Sequence, residues 1–163
     1  MKITVLCVGK IREKFYRDAI QEYGKRLGRY CKLEIVEVAD EKTPEGASAL
    51  MEKQIREREG ARLLAHLEKY RQTGAFVCAL AIDGKELDSV QLSQKLEQLG
   101  IHGISHIVFL IGGSLGMPES MLREADMQLS FSRMTFPHQL MRVILLEQIY
   151  RSYRIMNKEP YHK

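Results

Sequence analysis

The segment HIVFLIGGSLGMP, residues 106–118, is the stretch that decides the fold class of this chain. His106–Ile111 is a short, mostly apolar run of the kind that forms a buried strand, and it leads directly into Gly112. Pro118 then suits the first position of a helix. A strand, a glycine loop and a helix in succession mark the place where α/β proteins bind ligands.

The glycine pattern itself allows two interpretations. It is GGxxG, which differs from the GxGxxG of dinucleotide sites and lacks the Gly-Lys-Ser/Thr of a phosphate loop. The loop is therefore either a ligand-binding loop of another kind or a plain tight turn. If it binds a ligand, we expect a side chain at Gly112 to fill the space that the ligand needs.

Strands and helices alternate on both sides of this segment. Short apolar runs predict further strands at Ile3–Val8, Leu33–Val38, Phe76–Ile82 (followed by an Asp83-Gly84 turn) and Met127–Phe131. Apolar residues at helical spacing predict helices over 11–27, 47–70 (with Gly60 as a candidate break), 89–99, 118–125 and 138–156. The order βαβαβαβαβα predicts one α/β domain over residues 1–163, with a mostly parallel sheet and helices on both faces.

Composition excludes several classes of protein. Apolar residues make up 45% and charged residues 28%, which is typical of a globular protein and not of a disordered or collagen-like chain. No apolar run approaches the roughly 20 residues of a membrane span, and MKITVLCVGK has no signal-peptide cleavage site, so we expect a cytoplasmic protein. Cys7, Cys31 and Cys78 lack the spacing of a metal site and are expected to be reduced core thiols.

Positive charge is concentrated at the two ends of the chain. Residues 1–35 carry nine Lys and Arg against four Asp and Glu, a net of +5. Residues 133–163 carry six against two, a net of +4. If the fold brings the ends together, one face becomes a basic patch suited to phosphate groups. The alternative is that these charged residues only form the solvent-exposed faces of helices and bind no partner.

A second strand-to-helix loop lies in the segment LSFSRMTFPHQ, residues 129–139. Its residues are small, apolar or hydroxyl-bearing. Because consecutive loops of this type lie at the same edge of a parallel sheet, we expect the two loops to form one pocket with apolar walls and backbone donors, suited to an adenine ring. No acidic residue follows the second strand at the position of a ribose contact, which argues against a dinucleotide site.

The last helix, residues 138–156, is apolar around nearly its whole circumference. Such a helix must be buried on all sides, and we expect its own sheet to cover one side only, so a second copy of the chain should cover the other. Glu147 and Arg151 stand in the favourable i,i+4 order for an ion pair. Arg142, one turn after His138, has no acidic residue at i±4 and is expected to be free for a ligand.

The chain ends in a short polar segment, Asn157–Lys163. Tyr161 offers an aromatic plane, His162 a titratable imidazole and Lys163 a cation, and all three groups are useful in binding RNA. A disordered tail without a role is the alternative.

Several segments together are similar to those of one known family. MKITVLCVGK, HIVFLIGGSLG, LSFSRMTFPHQLMRVILLEQIYRSYRIM and the closing PYHK resemble the RlmH (YbeA) family of small SPOUT-class methyltransferases, and the resemblance covers the whole chain. It implies a cytoplasmic homodimer with a deep trefoil knot in its C-terminal half, a feature that sequence patterning cannot suggest. It also implies S-adenosylmethionine as methyl donor and N3 of a pseudouridine in helix 69 of 23S ribosomal RNA, within the ribosome, as acceptor. The spacing of Cys and His residues separately predicts no metal site. The cofactor site implied for this chain comprises Leu80, Gly112, Phe131, Ser132, Arg133, Met134, Thr135 and Phe136.

The bond to be made defines the chemistry that such an enzyme must supply. N3 carries a proton and is a poor nucleophile until that proton leaves, so the enzyme has to align the reacting atoms and help remove the proton. The candidates for handling the proton are His138, Tyr161 and His162, with water as the alternative base. Arg142 and Lys163 are candidates for orienting the base or its phosphate. The alternative function is a non-catalytic α/β module that binds RNA or a nucleotide.

Overall fold

The computed structural model describes residues 1–163. Strands and helices alternate along it as β1 (Lys2–Val8), α1 (Lys14–Leu27), β2 (Lys32–Val38), α2 (Ala49–Gln72), β3 (Phe76–Glu86), α3 (Ser89–Ile101), β4 (His106–Ile111), α4 (Glu119–Arg123), β5 (Met127–Ser130) and α5 (His138–Met156). The five strands form one sheet in the order β2-β1-β4-β3-β5, and every neighbouring pair is parallel. The predicted α/β fold with a parallel sheet is confirmed.

Helices cover both faces of the sheet. On one face α1, α3 and α5 contribute buried side chains such as Leu27, Leu96 and Leu146. On the other face α2 and α4 contribute side chains such as Leu63 and Met121. The central strand β4 is buried along its whole length. Strands buried on both faces have continuous apolar sequences, which explains why this one was recognisable without any alternation of polar residues.

Helix α1 begins three residues later than its apolar pattern predicted, at Lys14 instead of Ile11. The N–H of Ile11 donates to the carboxylate of Glu37 at 3.2 Å, and the N–H of Arg12 donates to the side-chain oxygen of Gln139 at 3.3 Å. These two residues are therefore held in a loop by side chains from β2 and α5, which local periodicity does not reveal.

Two glycines do not interrupt the elements in which they lie. The candidate break at Gly60 is absent, since α2 is continuous from Ala49 to Gln72. A Cβ on Gly60 would lie 2.6 Å from Cγ of Pro118. The predicted turn at Gly84 is wrong, since β3 continues to Glu86. A Cβ on Gly84 would lie 2.8 Å from the carbonyl carbon of Gln128, beside the register shift between β3 and β5. Both glycines permit a close approach between elements. The other predicted elements are present with ends shifted by one or two residues at most.

Helix α5 is flanked by α1 and α3 as well as by the sheet, so the expectation that only the sheet covers it within one chain is wrong. Its buried face includes Leu145, Leu146 and Ile149, which are fully inaccessible. A half-buried strip remains along one face of the helix, and we call it the α5 strip: Leu140, Ile144, Glu147 and Arg151. The predicted ion pair within it is confirmed, with Arg151 Nη2 at 2.6 Å from Glu147 Oε1.

The three cysteines are unpaired, and two of them lie in the core. Cys7 and Cys78 are buried, Cys31 is half-buried, and all three are free thiols. None of the helices has the length and apolar character needed to cross a membrane. No group of three or more His, Cys, Asp or Glu side chains is arranged to hold a metal ion.

Candidate functional site

A cavity of about 640 Å³ opens at the carboxyl edge of the sheet, where β4 and β5 end. Its wall includes Leu80–Ile82 in the middle of β3, the loop after β4, the loop after β5 and the first turn of α5. Most of the wall is hydrophobic, and no Lys, Arg, Asp or Glu contributes to it. The prediction that the two loops share one pocket is confirmed, and the topology explains it because both loops leave the same edge of a parallel sheet.

The glycine loop after β4 is closed on itself. The N–H of Gly116 donates to the carbonyl of Gly113 at 3.0 Å, and Gly116 has a φ of +79°, which strongly favours glycine. A Cβ on Gly112 would lie 2.7 Å from the carbonyl carbon of Gly116. The glycine at position 112 is therefore required for packing within the loop. A side chain at position 112 was expected to occupy the space of a ligand, but it would clash with the backbone of Gly116 whether or not a ligand is bound.

A buried carboxylate lies directly behind the glycine loop. Glu59, on α2, is 3% exposed, and its Oε1 accepts a hydrogen bond from the N–H of Glu41 at 3.0 Å. Its Oε2 has no hydrogen-bond partner, and a Cβ on Gly113 would lie 2.7 Å from this oxygen. Burial raises the pKa of Glu59. Sequence reasoning did not single out Glu59, because it lies in the charged stretch KQIREREGAR, where one buried carboxylate cannot be distinguished from its solvated neighbours.

The loop after β5 is held in a tight turn by two serines. The hydroxyl of Ser130 donates to the carbonyl of Ser132 at 3.2 Å, and the hydroxyl of Ser132 accepts from the N–H of Met134 at 2.9 Å. Arg133 lies outside the cavity wall, with a side chain that is 93% exposed and 3.8 Å from the carboxylate of Glu86. Because the turn directs this side chain away from the cavity, a place for Arg133 in the cofactor site stays a prediction that could be met only by its backbone.

The remaining residues expected at the cofactor site all line the cavity: Leu80, Gly112, Phe131, Ser132, Met134, Thr135 and Phe136. Hydroxyl groups and the backbone of the glycine loop supply hydrogen-bonding atoms, and leucine and phenylalanine side chains supply flat apolar surface. Such a wall suits a ligand that combines an aromatic ring with polar edges. That these residues bind a cofactor stays a prediction.

His138 is the only titratable side chain in the cavity wall. A Cβ on Gly9 would lie 3.7 Å from Nε2 of His138 and 3.6 Å from Cγ of Asp40, so both side chains flank the end of β1. Burial and the positive charge of Arg142 lower the pKa of His138, whereas Asp40 acts in the opposite direction. Burial and Arg142 thus favour the neutral imidazole, the form that can accept a proton.

Arg142 is engaged entirely within the protein. It is 1% exposed, and its guanidinium donates to the carboxylate of Glu37 at 2.6 Å and to the carbonyls of Val8 and Gly9 at 2.7 and 2.6 Å. The prediction that Arg142 is free for a ligand is wrong, because its acidic partner comes from β2 and not from the same helix. The side chain ties the first turns of α5, including His138, to the ends of β1 and β2.

The tail packs against α5 within the same chain. The Tyr161 ring meets Tyr150 edge-on with centroids 4.9 Å apart, and its hydroxyl donates to Glu147 at 3.2 Å. Nδ1 of His162 lies 3.4 Å from the guanidinium of Arg151, and Lys163 is exposed. Burial, together with the charge of Glu147, raises the pKa of Tyr161 to about 12.

The candidate catalytic residues fall into two groups within one chain. Glu147 and Arg151, which contact the tail, lie nine and thirteen residues along α5 from His138. At 1.5 Å per residue these separations are about 14 and 20 Å along the helix axis. His138 is therefore at the cavity, whereas Tyr161, His162 and Lys163 lie beside the α5 strip.

The two basic ends of the chain lie side by side, which meets the condition for the basic patch but does not by itself establish one. Helix α1 packs along α5, and the guanidinium of Arg26 lies 5.7 Å from the ring centroid of Tyr150. The hydroxyl of Tyr30 donates to the carboxylate of Glu159, which also pairs with Arg154 at 3.0 Å. Basic residues from both ends of the chain therefore lie on the same face of the sheet, although Arg26, Arg151 and Arg154 are each paired with a glutamate there.

Comparison with known proteins agrees with this architecture. A family model described as predicted SPOUT methyltransferase matches residues 1–162. Relatives from Bifidobacterium adolescentis, Bifidobacterium animalis subsp. lactis and Clostridium tetani are 63%, 59% and 53% identical over 163 residues, and each alignment covers 100% of both chains. All three relatives are named ribosomal RNA large subunit methyltransferase H.

Two solved structures share the fold at low sequence identity. A probable methylase family protein from Haemophilus influenzae Rd KW20 superposes with a TM-score of 0.56 at 8% identity, covering 99% of this chain and 70% of that one. A chain from Bacillus anthracis superposes with a TM-score of 0.51 at 16% identity, covering 99% of this chain and 98% of that one. These likenesses bear on the fold alone. With a family match over nearly the whole chain and full-length relatives above 50% identity, the chain belongs to the SPOUT methyltransferase family, among the ribosomal RNA large subunit methyltransferase H (RlmH) proteins.

Proposed function

We propose that this protein transfers a methyl group from S-adenosylmethionine to N3 of a pseudouridine in helix 69 of 23S ribosomal RNA. The observation that supports this most directly is the cavity at the carboxyl edge of the sheet, which combines apolar walls, hydroxyl groups and one neutral histidine in a methyltransferase fold. Identities of 53–63% to proteins named ribosomal RNA large subunit methyltransferase H support a ribosomal substrate. The choice of nucleotide and atom rests on the resemblance to the RlmH family.

The cavity residues fit S-adenosylmethionine. Leu80, Leu129 and Phe136 offer apolar surface for an adenine ring, and the hydroxyls of Ser132 and Thr135 offer hydrogen bonds. The cofactor carries a positive sulfonium, and the absence of Lys and Arg from the wall leaves that charge without a repulsive neighbour. When bound, the cofactor supplies an electrophilic methyl group attached to a good leaving group.

His138 is the residue that we propose accepts the N3 proton. The proton passes from N3 to the neutral imidazole, and the lone pair that this leaves on N3 makes the nitrogen a nucleophile. Tyr161 suits this role less well, because a pKa of about 12 keeps its hydroxyl protonated. Because burial and Arg142 lower the pKa of His138, we expect activity to persist to a lower pH than an ordinary histidine would allow and then to fall on further acidification. Replacement of His138 by Gln should lower kcat about 10²–10⁴-fold, and an unchanged kcat would indicate that water is the base.

We further propose that the protein acts as a homodimer and that the tail of one protomer completes the cavity of the other. The α5 strip is half-buried and partly apolar, the tail lies beside it, and the tail is distant from His138 of its own chain. Ile144→Arg tests this better than a substitution at Leu146, which is buried in the core of one chain. We expect Ile144→Arg to sediment as a folded monomer, and a folded wild-type monomer at micromolar concentration would refute the proposal.

Family membership supports the remaining features of this proposal. We propose a single domain over residues 1–163, a deep trefoil knot in its C-terminal half and a cytoplasmic site of action. Limited proteolysis should give no stable fragment, because a single cooperative domain has no protease-sensitive linker.

The decisive experiment is transfer of labelled methyl groups to intact ribosomes, followed by mapping of the modified nucleotide. Parallel reactions with free ribosomal RNA and with the isolated large subunit identify the form of the substrate. The alternative function, a non-catalytic RNA- or nucleotide-binding module, predicts no methyl transfer and no thermal stabilisation by S-adenosylhomocysteine.

A further inference from the structure

We propose that the loop between β1 and α1, residues 10–13, binds the phosphate backbone of the RNA substrate beside the cavity. Its cations are Lys10 and Arg12, and Lys14 and Arg17 follow at the start of α1. The inference rests on the proposed function, and it identifies one part of the protein surface that contacts the RNA.

The carbonyls of this region are held by two arginines. The guanidinium of Arg142 binds the carbonyls of Val8 and Gly9 at 2.7 and 2.6 Å. The guanidinium of Arg17 binds the carbonyl of Arg12 at 2.6 Å and reaches that of Ile11 at 3.4 Å. Of the five carbonyls from Val8 to Arg12, all but that of Lys10 thus accept hydrogen bonds from side chains of α5 and α1.

The amides of the same loop are held from the other side. Glu37 accepts from the N–H of Ile11, and Gln139 accepts from the N–H of Arg12. The N–H of Gly9 donates to the carbonyl of Val38 at 2.8 Å. Because the backbone is anchored to β2 and α5, the positions from which the Lys10 and Arg12 side chains extend are set before any ligand arrives. Preorganisation of this kind lowers the entropic cost of binding.

The charges of Lys10 and Arg12 are not neutralised within the protein. Both residues are exposed, and neither forms an ion pair or a side-chain hydrogen bond. Lys14, by contrast, pairs with Asp18 at 2.6 Å, and Glu37 is paired with Arg142. The acidic groups left near the loop are Glu13, within it, and Asp40, which flanks Gly9. They are outnumbered by Lys10, Arg12 and the guanidinium of Arg17, which contacts only carbonyls.

The loop lies at the rim of the cavity. A Cβ on Gly9 would lie 3.7 Å from Nε2 of His138, and Lys10 follows Gly9 directly. A nucleotide whose base enters the cavity therefore brings its flanking phosphates to this rim. Contacts to phosphate set the position of a nucleic acid without reading its sequence, which is the task required next to a cavity that accepts one base.

The test compares Lys10→Ala/Arg12→Ala with the matched control Lys32→Ala/Lys69→Ala. The control lysines are also exposed and free of ion pairs, but they lie at the start of β2 and in the last turn of α2, at the opposite edge of the sheet. Steady-state methylation of intact ribosomes is measured over a range of salt concentrations, together with S-adenosylmethionine affinity by calorimetry and oligomeric state by sedimentation.

We expect the loop variant to raise KM for ribosomes about tenfold, with a much smaller change in kcat. The slope of log(1/KM) against log salt should fall in magnitude by about 2, one for each lost phosphate contact. Cofactor affinity and oligomeric state should equal those of wild type, and the control should behave as wild type.

Four results would overturn the inference: an unchanged KM and salt slope, an equal effect in the control, a loss of cofactor affinity, or a change in oligomeric state. Active wild-type enzyme with an unaffected loop variant refutes this inference alone. Wild-type enzyme that is inactive on ribosomes refutes the proposed function, and this inference with it.

Discussion

Replacement of Arg142 by Ala should destabilise the protein strongly, although the residue lies on no ligand-facing surface. The guanidinium is 1% exposed and makes three hydrogen bonds, to Glu37 and to the carbonyls of Val8 and Gly9, at 2.6–2.7 Å. Removing it leaves the buried carbonyls of Val8 and Gly9 without this donor, whereas the carboxylate of Glu37, with a side chain 34% exposed, remains open to water. Each buried carbonyl left without a donor costs about 1–3 kcal/mol, so the two together cost about 2–6 kcal/mol of unfolding free energy. For a chain of this length that corresponds to a fall in Tm of about 4–24 °C.

The assay is urea or thermal unfolding at one fixed protein concentration, because dimerisation would make Tm depend on concentration. Arg142→Met retains most of the side-chain volume but none of the donors, so it should be destabilised about as much as Arg142→Ala. Arg123→Ala is the matched surface control. Arg123 faces Glu119 at 3.7 Å with side chains 75% and 74% exposed, and its loss should cost about 0.3–0.5 kcal/mol.

A loss of less than about 1 kcal/mol in Arg142→Ala would refute this reasoning, because a single ordinary hydrogen bond accounts for that much. A large loss in Arg142→Ala together with wild-type stability in Arg142→Met would refute the hydrogen-bond explanation specifically. The loss would then reflect the cavity left by the missing side chain.

Gly112→Val should abolish S-adenosylmethionine binding in calorimetry while the circular dichroism spectrum stays native. The new Cβ would lie 2.7 Å from the backbone of Gly116 and would force the glycine loop open. Wild-type affinity for the cofactor would contradict this explanation. Glu59→Gln should raise Tm near pH 7, and this gain should disappear as the pH falls towards 4.5. The reason is that burial raises the pKa of Glu59, so the wild-type fold loses stability as the pH rises above the pKa of the carboxyl group in the unfolded chain. A gain in Tm that does not depend on pH would exclude burial of the charge as its cause. Deletion of Tyr161–Lys163 should abolish methyl transfer to ribosomes, leave cofactor affinity unchanged and lower Tm modestly through the lost contact with Tyr150; a truncated enzyme with the full rate would show that the tail is dispensable.

Local patterns were sufficient for the fold class and for the position of the cavity. The apolar runs of β1 and β4 indicate strands that are buried on both faces. The 19-residue helix α5 begins and ends at the residues that its apolar periodicity predicts. Once strands and helices alternate, the loops after β4 and β5 must leave the same edge of a parallel sheet. The sequence by itself therefore determined where a ligand-sized cavity would form and most of the residues in its wall.

Contacts between residues distant in the chain were decided only by the tertiary structure. Arg142 has no acidic neighbour on its own helix, and its partner Glu37 is 105 residues away in sequence. Glu59 has the sequence context of a solvated helix face, yet the missing side chain of Gly113 gives it a buried position. Periodicity reports which face of an element is apolar, but it carries no information about which polar group of another element will lie opposite. That pairing depends on how the helices pack across the sheet. For this reason only the structure shows that Arg142 supports the site from the protein interior and is not free to bind a ligand.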